Sequence, residues 1–556
     1  MSKVWRTLTV LVAVLAGLGV LAAVMIPSLL RARVSTGPHS PTYALPASVP
    51  PRTMPAFAPT YGFDRAVRKA DGFGRESATP MNTEAYHRIV DNAFLAVADT
   101  PLSTFSIDVD TASYANVRRF LRDRQLPPKD AVRIEELINY FRFDYPAPED
   151  GAPFSVTSHV AECPWNREHR LVLLGLQARR LAEGQIPPRN LVFLIDVSGS
   201  MGDARKLPLV KAAMGLLADQ LTEQDRISIV VYAGASGLVL PPTSGDRKGE
   251  IRAALAALEA GGSTAGGAGI QLAYKTAQET FIEGGVNRVV LATDGDFNVG
   301  LTSHGDLSRL IAEKRKTGVS LSVLGFGMGN LKDSTMEMLA DRGNGNYAYV
   351  DTLAEARKVL VAEAGSTLVT VAKDVKLQVE FNPAAVSTYR LIGYENRVLA
   401  DADFNDDAKD AGDMGAGHSV TALYEVVPAG AKPGTRRVDP LKYQEDRRPS
   451  ARADASELMT VKLRYKAPDG DTSQLFAMAV KDSARTESAD VRFAAAVAEF
   501  GMLLRDSEHK GTASFASVLE LAREGQGHDP GGYRAEFIRL VEAAQALTDA
   551  PSNIGG

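Results

Sequence analysis

Cysteine is nearly absent from this 556-residue sequence, where Cys163 stands alone. A single thiol excludes an internal disulfide framework and a cysteine-based zinc site, and its distance from the N-terminus excludes a lipobox-type lipid attachment. Stability must therefore come from packing. An excess of one charge is missing too: 62 Lys and Arg face 67 Asp and Glu, for a net charge of −5. That balance leaves no electrostatic footprint for nucleic acid. Histidine is scarce, with eight residues in the whole chain and no evident triad partner for any serine.

Charge is absent altogether from Thr7 to Met25, "TLTVLVAVLAGLGVLAAVM". This run approaches the ~20 residues that a membrane-spanning helix needs. Residues 1–34 are expected to form a transmembrane anchor, with a cleaved export signal as the alternative. Both readings place the folded part in the cell envelope, outside the cytoplasm. Basic residues flank both ends of the run, so charge does little to decide its orientation.

A chain of this length exceeds what one core supports, and its rhythm changes several times. Residues 35–81 open with the proline-dense "STGPHSPTYALPASVPPRTMPAFAPT" and read as a spacer. Residues 82–187 read as an α+β region that includes a β-hairpin from "FSVTSHVAECPWN" and "HRLVLLGLQARR". Between 188 and 367, the short apolar runs "LVFLIDV", "RISIVVYA", "RVVLATDG" and "LSVLGFG" alternate with helical patterns. That alternation predicts an α/β domain with a doubly wound, mostly parallel sheet covered on both faces. Residues 368–484 return to β, and 485–556 close in helices. Because β segments lie on both sides of the α/β unit, they are expected to pair into one sandwich that carries the unit as an insert. The acidic stretch "DADFNDDAKDAGDMGAG" lacks the glycine and terminal glutamate of a calcium loop and reads as a solvated loop.

The first α/β strand ends in "DVSGSMGDARK". Extended residues at i, i+2 and i+4 point the same way, so Asp196, Ser198 and Ser200 can converge on one point. Sheets of this kind bind ligands at the carboxyl ends of their strands. Hard oxygen donors suit magnesium, with manganese or calcium as alternatives, rather than zinc. A polar turn capping the next helix is the competing explanation for the tripeptide alone. Two further loops add oxygens: Thr264 in "GGSTAGGAG", and Asp294 at the end of "RVVLATDGD".

The combination of Asp196-Val197-Ser198-Gly199-Ser200, then Thr264, then Asp294 resembles the metal-ion-dependent adhesion site of a von Willebrand factor type A (VWA) domain, over about residues 188 to 367. The flanking "TFSIDVDTASYANVRRFLRDRQLPP" and "RIEELINYFRFDYP" resemble the N-terminal region of a bacterial envelope group of such proteins, and the tail resembles its C-terminal region. The resemblance implies that Ser198, Ser200 and Thr264 offer hydroxyl oxygens to the ion, while Asp196 and Asp294 act mainly through bound waters and hydrogen bonds. Gly199, Gly202 and Gly295 would permit tight turns beside it, and Asp296 is a candidate outer group. Asp203 is expected to face water.

The resulting expectation is a non-enzymatic adhesion or scaffold protein that captures a carboxylate of an unknown protein partner through the ion, with a membrane contact through the N-terminal helix and none with nucleic acid. Two alternatives stand beside it. One is a structural envelope protein with a purely stabilising metal. The other is a hydrolase, for which "SGSMG" around Ser200 lacks the first glycine of a nucleophile elbow. "IDVDTA" has paired aspartates but Ala112 where phosphatase chemistry expects threonine or valine. Asp108 and Asp110 are expected instead to bond within a turn that leads into a helix capped by Thr111 or Ser113.

Overall fold

A computed structural model describes residues 83–550, apart from 150, 183–184, 263–265, 296–303, 365–367, 432–449, 451–452, 454–455 and 483–487. The expected anchor and spacer thus lie outside the described residues. Among the described residues no helix is long and apolar enough to cross a membrane.

The chain begins with β1 (Leu95–Ala96), β2 (Leu102–Ser106), α1 (Ala112–Arg122) and α2 (Ile134–Asn139), followed by the antiparallel hairpin of β3 (Phe154–Glu162) and β4 (Arg170–Ala178). The α/β unit then runs β5 (Arg189–Asp196), α3 (Leu207–Asp219), β6 (Arg226–Tyr232), β7 (Ser236–Ser244), α4 (Lys248–Ala256), α5 (Gly266–Glu279), β8 (Val286–Thr293), α6 (His304–Lys314), β9 (Ser320–Phe326), α7 (Asp333–Arg342), β10 (Tyr347–Val350) and α8 (Leu353–Arg357). Its sheet order is β10-β9-β8-β5-β6-β7. All neighbours are parallel except β6 and β7.

Every residue of the central β5 is buried, as its unbroken apolar run requires of a strand covered on both faces. Leu307 and Ile311 of α6 pack on this sheet. The two outermost strands carry weaker sequence signals: β10 has only four residues, and β7 includes Pro241 and Pro242. Proline's missing N–H is tolerated because β7 lies on an edge. Gly345, in the turn before β10, crosses so close to β9 that a Cβ there would fall on the Leu321 carbonyl. Gly345→Ala is expected to cost about 1–3 kcal/mol. A urea midpoint equal to that of the wild type would show that the turn yields instead.

After the insert come β11 (Thr370–Phe381), β12 (Val386–Ile392), β13 (Gly412–Gly415), β14 (Ser419–Pro428), β15 (Glu457–Lys466), β16 (Gln474–Lys481), α9 (Ala489–Arg505), α10 (Phe515–Glu524) and α11 (Tyr533–Asp549). One sheet has the order β1-β12-β14-β4-β3; the other has β13-β11-β15-β16, with β2 also paired to β11. The two sheets face each other across a shared apolar core, where Phe381 stacks on Tyr389 at 3.8 Å and Phe154 meets Tyr465 edge-on at 4.8 Å. Strands from before the insert pair with strands from after it: β4 with β14, and β2 with β11.

A second core covers the outer side of the first sheet, where α1, α2 and α9–α11 pack on Leu171, Leu173, Ile392 and Leu423. The N-terminus of α9 is capped by Ser488, whose hydroxyl accepts from the Val491 N–H, and that of α10 by a box of Ser514 and Ser517. Helix α1 also lies against the α/β unit through Ala112 and Ala115. Its buried Arg118 pairs with Asp351 and Glu355 after β10, and with Glu536 of α11.

Two expectations need correction. The acidic stretch is not only a solvated loop, because Gly412–Gly415 forms β13 against β11. No Val or Ile marks this strand. It forms because side-chain-free Gly412 passes beside the Asp108 backbone and donates its N–H to Ser106 Oγ at 2.8 Å. Thr111 stands at the N-cap of α1 but makes no side-chain cap bond. Ser113 instead donates to the Ala131 carbonyl at 2.7 Å, tying α1 to the turn before α2.

Candidate metal centre

Strand β5 delivers Asp196 to its carboxyl end with no solvent exposure. The Asp196 carboxylate accepts from the Ser198 N–H at 2.9 Å, from Tyr232 Oη at 3.2 Å and from Thr293 Oγ1 at 3.2 Å. It thereby joins the ends of β5, β6 and β8. Burial raises its pKa, and Asp294 adds to that, against the hydrogen bonds from Ser198 and Thr293. The hydroxyls of Ser198 and Ser200 lie 3.1 Å apart, the first buried and the second exposed. Asp294, one residue beyond β8, is also fully buried. Burial would raise its pKa, but bonds from Asn330, Lys206 and Ser200 outweigh that and hold it below the ordinary value, as a carboxylate.

Asp196, Ser198, Ser200 and Asp294 therefore share one pocket of contacts at the carboxyl ends of β5 and β8. Thr264 and Asp296 lie outside the described residues, but the loop preceding Thr264 is held at the site: Gly199 donates its N–H to the Gly262 carbonyl at 3.0 Å, and Gly261 donates to Val197 at 2.8 Å. Of the three glycines expected to turn tightly, only Gly295 needs its freedom, with φ +102 and a hypothetical Cβ 2.6 Å from the Lys332 nitrogen. Gly199 and Gly202 form an ordinary 3-10 turn without positive φ. Asp203 is exposed and accepts from the Arg205 N–H.

The chain is 46% identical over 499 residues to the uncharacterized protein YfbK of Escherichia coli (strain K12), covering 88% of this chain and 85% of that one. It belongs to the YfbK family of VWA proteins. The family described as von Willebrand factor type A domain matches residues 190–361, that described as von Willebrand factor matches 80–173, and the YfbK C-terminal family matches 366–547. This YfbK relative is also 32% identical over 148 residues to inter-alpha-trypsin inhibitor heavy chain H4 of Homo sapiens, covering 25% of this chain and 16% of that protein. Among solved structures, a von Willebrand factor type A protein from Catenulispora acidiphila is 17% identical and covers 72% of this chain and 91% of its own, at a TM-score of 0.40.

The donor set of this YfbK-family site consists of hydroxyl and carboxylate oxygens, which fits a hard divalent cation. The sequence reading missed two residues that touch it. Lys206 donates to Asp294 Oδ2 at 2.8 Å and to Asn330 Oδ1 at 3.1 Å. Asn330 follows "LSVLGFG", so a polar residue in the loop after a third strand of the same sheet was the available signal. Lys206 had none, since a lysine at the start of a helix ordinarily reads as a surface residue.

A separate acidic cluster gathers Asp110, Glu136 and Glu337, with ligand oxygens within 4.8 Å of one another. Two arginines already fill it. Arg397 pairs with Asp108, Asp110, Glu337 and Asp341, and Arg133 pairs with Glu136 and Asp333. Asp108 and Asp110 thus face an arginine rather than only their own turn.

Proposed function

We propose that this chain is an envelope protein that binds a partner protein through a divalent cation, magnesium being the best fit, held by Ser198, Ser200 and Thr264 with Asp196 and Asp294 behind them. The observation that carries this reading is the facing pair of Ser198 and Ser200 hydroxyls between two fully buried aspartates at the ends of β5 and β8. Neutral hydroxyls leave a bound ion electrophilic. Magnesium takes about six oxygens, and the exposed Ser200 side leaves room for a carboxylate from a partner. A non-catalytic role is supported by the contacts of these serines among the described residues, which are carboxylates, backbone and each other rather than an imidazole. The envelope location and the membrane anchor rest on the uncharged run from Thr7 to Met25.

A stabilising metal without a partner is the second reading, favoured by the way Asp196 already ties three strands together. Thermal unfolding with magnesium or chelator tests the ion. The wild type is expected to gain about 2.7 kcal/mol at a hundredfold excess over the dissociation constant, and Asp196→Ala to gain nothing. Equal response in both proteins would sink the site. Pull-down of acidic partners that survives chelator would favour the stabilising role.

A further inference from the structure

The Asp294 carboxylate already has a cation of its own. Lys206 is the residue just before α3, and only 8% of its surface is exposed. Its Nζ reaches Asp294 Oδ2 at 2.8 Å and Asn330 Oδ1 at 3.1 Å. The stem runs against Gly327, just beyond β9, where φ is +77 and a Cβ would fall on the lysine methylenes. Two hydrogen bonds and a slot kept open by the absence of a side chain hold the ammonium in place. It does not swing in solvent as an ordinary surface lysine would.

Charge then decides how the site behaves. Among the described residues of the site, Asp196 and Asp294 ionised sum to −2, and Lys206 brings this to −1. A divalent ion entering such a site meets a weaker pull than two bare carboxylates would exert, together with repulsion from the ammonium. Once loaded, the site carries +1 instead of zero. An anionic group at the exposed Ser200 side relieves that surplus, so ion and anion favour each other, and by thermodynamic reciprocity each raises the affinity of the other by one factor.

We infer that Lys206 is a built-in counter-ion that makes metal retention depend on a carboxylate from the partner: ion and acid each bind weakly alone and tightly together. This inference rests on the metal-site reading proposed above.

The test is calorimetric titration of the full chain with magnesium chloride, in sodium acetate or in sodium chloride of equal ionic strength, for the wild type, K206M and K206Q. Methionine keeps the unbranched stem and removes the charge; glutamine does the same with a polar end should K206M fail to fold. In chloride, both variants are expected to bind magnesium about tenfold more tightly than the wild type. Acetate should tighten magnesium binding several-fold in the wild type and hardly at all in the variants. Variants that bind magnesium no more tightly than the wild type would overturn the role of Lys206 while leaving the metal site standing. Absence of magnesium binding in all three proteins would overturn both. Binding by the variants alone would support the counter-ion in its strongest form.

Discussion

Arg397→Met is expected to lower the stability of the folded chain by about 3–5 kcal/mol, the scale of breaking a buried ion pair from one side. Only about a tenth of this side chain is exposed, and its guanidinium lies 3.1 Å from Asp108, 2.7 Å from Asp341, 3.5 Å from Asp110 and 3.0 Å from Glu337. Methionine fills much of the same volume but leaves four carboxylates together in a poorly solvated place. Burial and Asp108 already push the Asp341 pKa up to about 7, and burial and Asp108 push Asp110 well above the usual range. Protonation can therefore relieve the variant in acid and not in base. Urea denaturation should show a larger loss at pH 8 than at pH 6. A loss that is the same at both pH values, or below about 1 kcal/mol, would mean that these carboxylates are held by something other than Arg397.

Glu499→Gln is expected to act in the opposite direction. Glu499 lies in α9 and is 1% exposed; one oxygen accepts from Ser517 Oγ at 3.2 Å, and the other has no hydrogen-bond partner among the described residues. Burial pushes its pKa up to about 7 from the usual 4.5, against the Ser517 bond. The folded state then holds a proton that the unfolded state gives up, so stability falls as pH rises from about 4.5 to about 7 and levels off above. The difference amounts to about 3 kcal/mol at the plateau. Glutamine carries no such penalty. The variant should match the wild type near pH 4.5 and exceed it at pH 8. Because Glu135 and Glu136 are also pushed up to about 7 by burial, the quantity to follow is the difference between variant and wild type. A difference that does not change with pH would show that Glu499 stays charged in the fold.

The α/β unit was legible because continuous apolar runs such as "LVFLIDV" have few other uses in a soluble domain. Its edges were not. The prolines of β7 look like strand breakers until the strand is known to be outermost, and the four residues of β10 are too few to show a period. Strand β13 was hidden for another reason, since what holds it is a backbone approach that only Gly412 allows, and close approach leaves no mark in hydropathy. The candidate site divided along the same line. Asp196, Ser198 and Ser200 are neighbours in sequence, so they meet even though β5 ends at Asp196 and Ser200 lies in the 3-10 turn that follows rather than on an extended strand, whereas the contact of Lys206 with Asp294 and Asn330 joins three separate loops. Such contacts depend on the order of strands in the sheet, which no local pattern contains.

The placement of the α/β unit between β4 and β11 has a mechanical consequence. These two strands belong to opposite sheets of the sandwich, so the unit stands on two legs and not on one linker. A pull delivered at the ends of β5 and β8 divides between both legs and reaches both sheets. A displacement at one connection is resisted by the other, so a load on the site is shared between the two sheets.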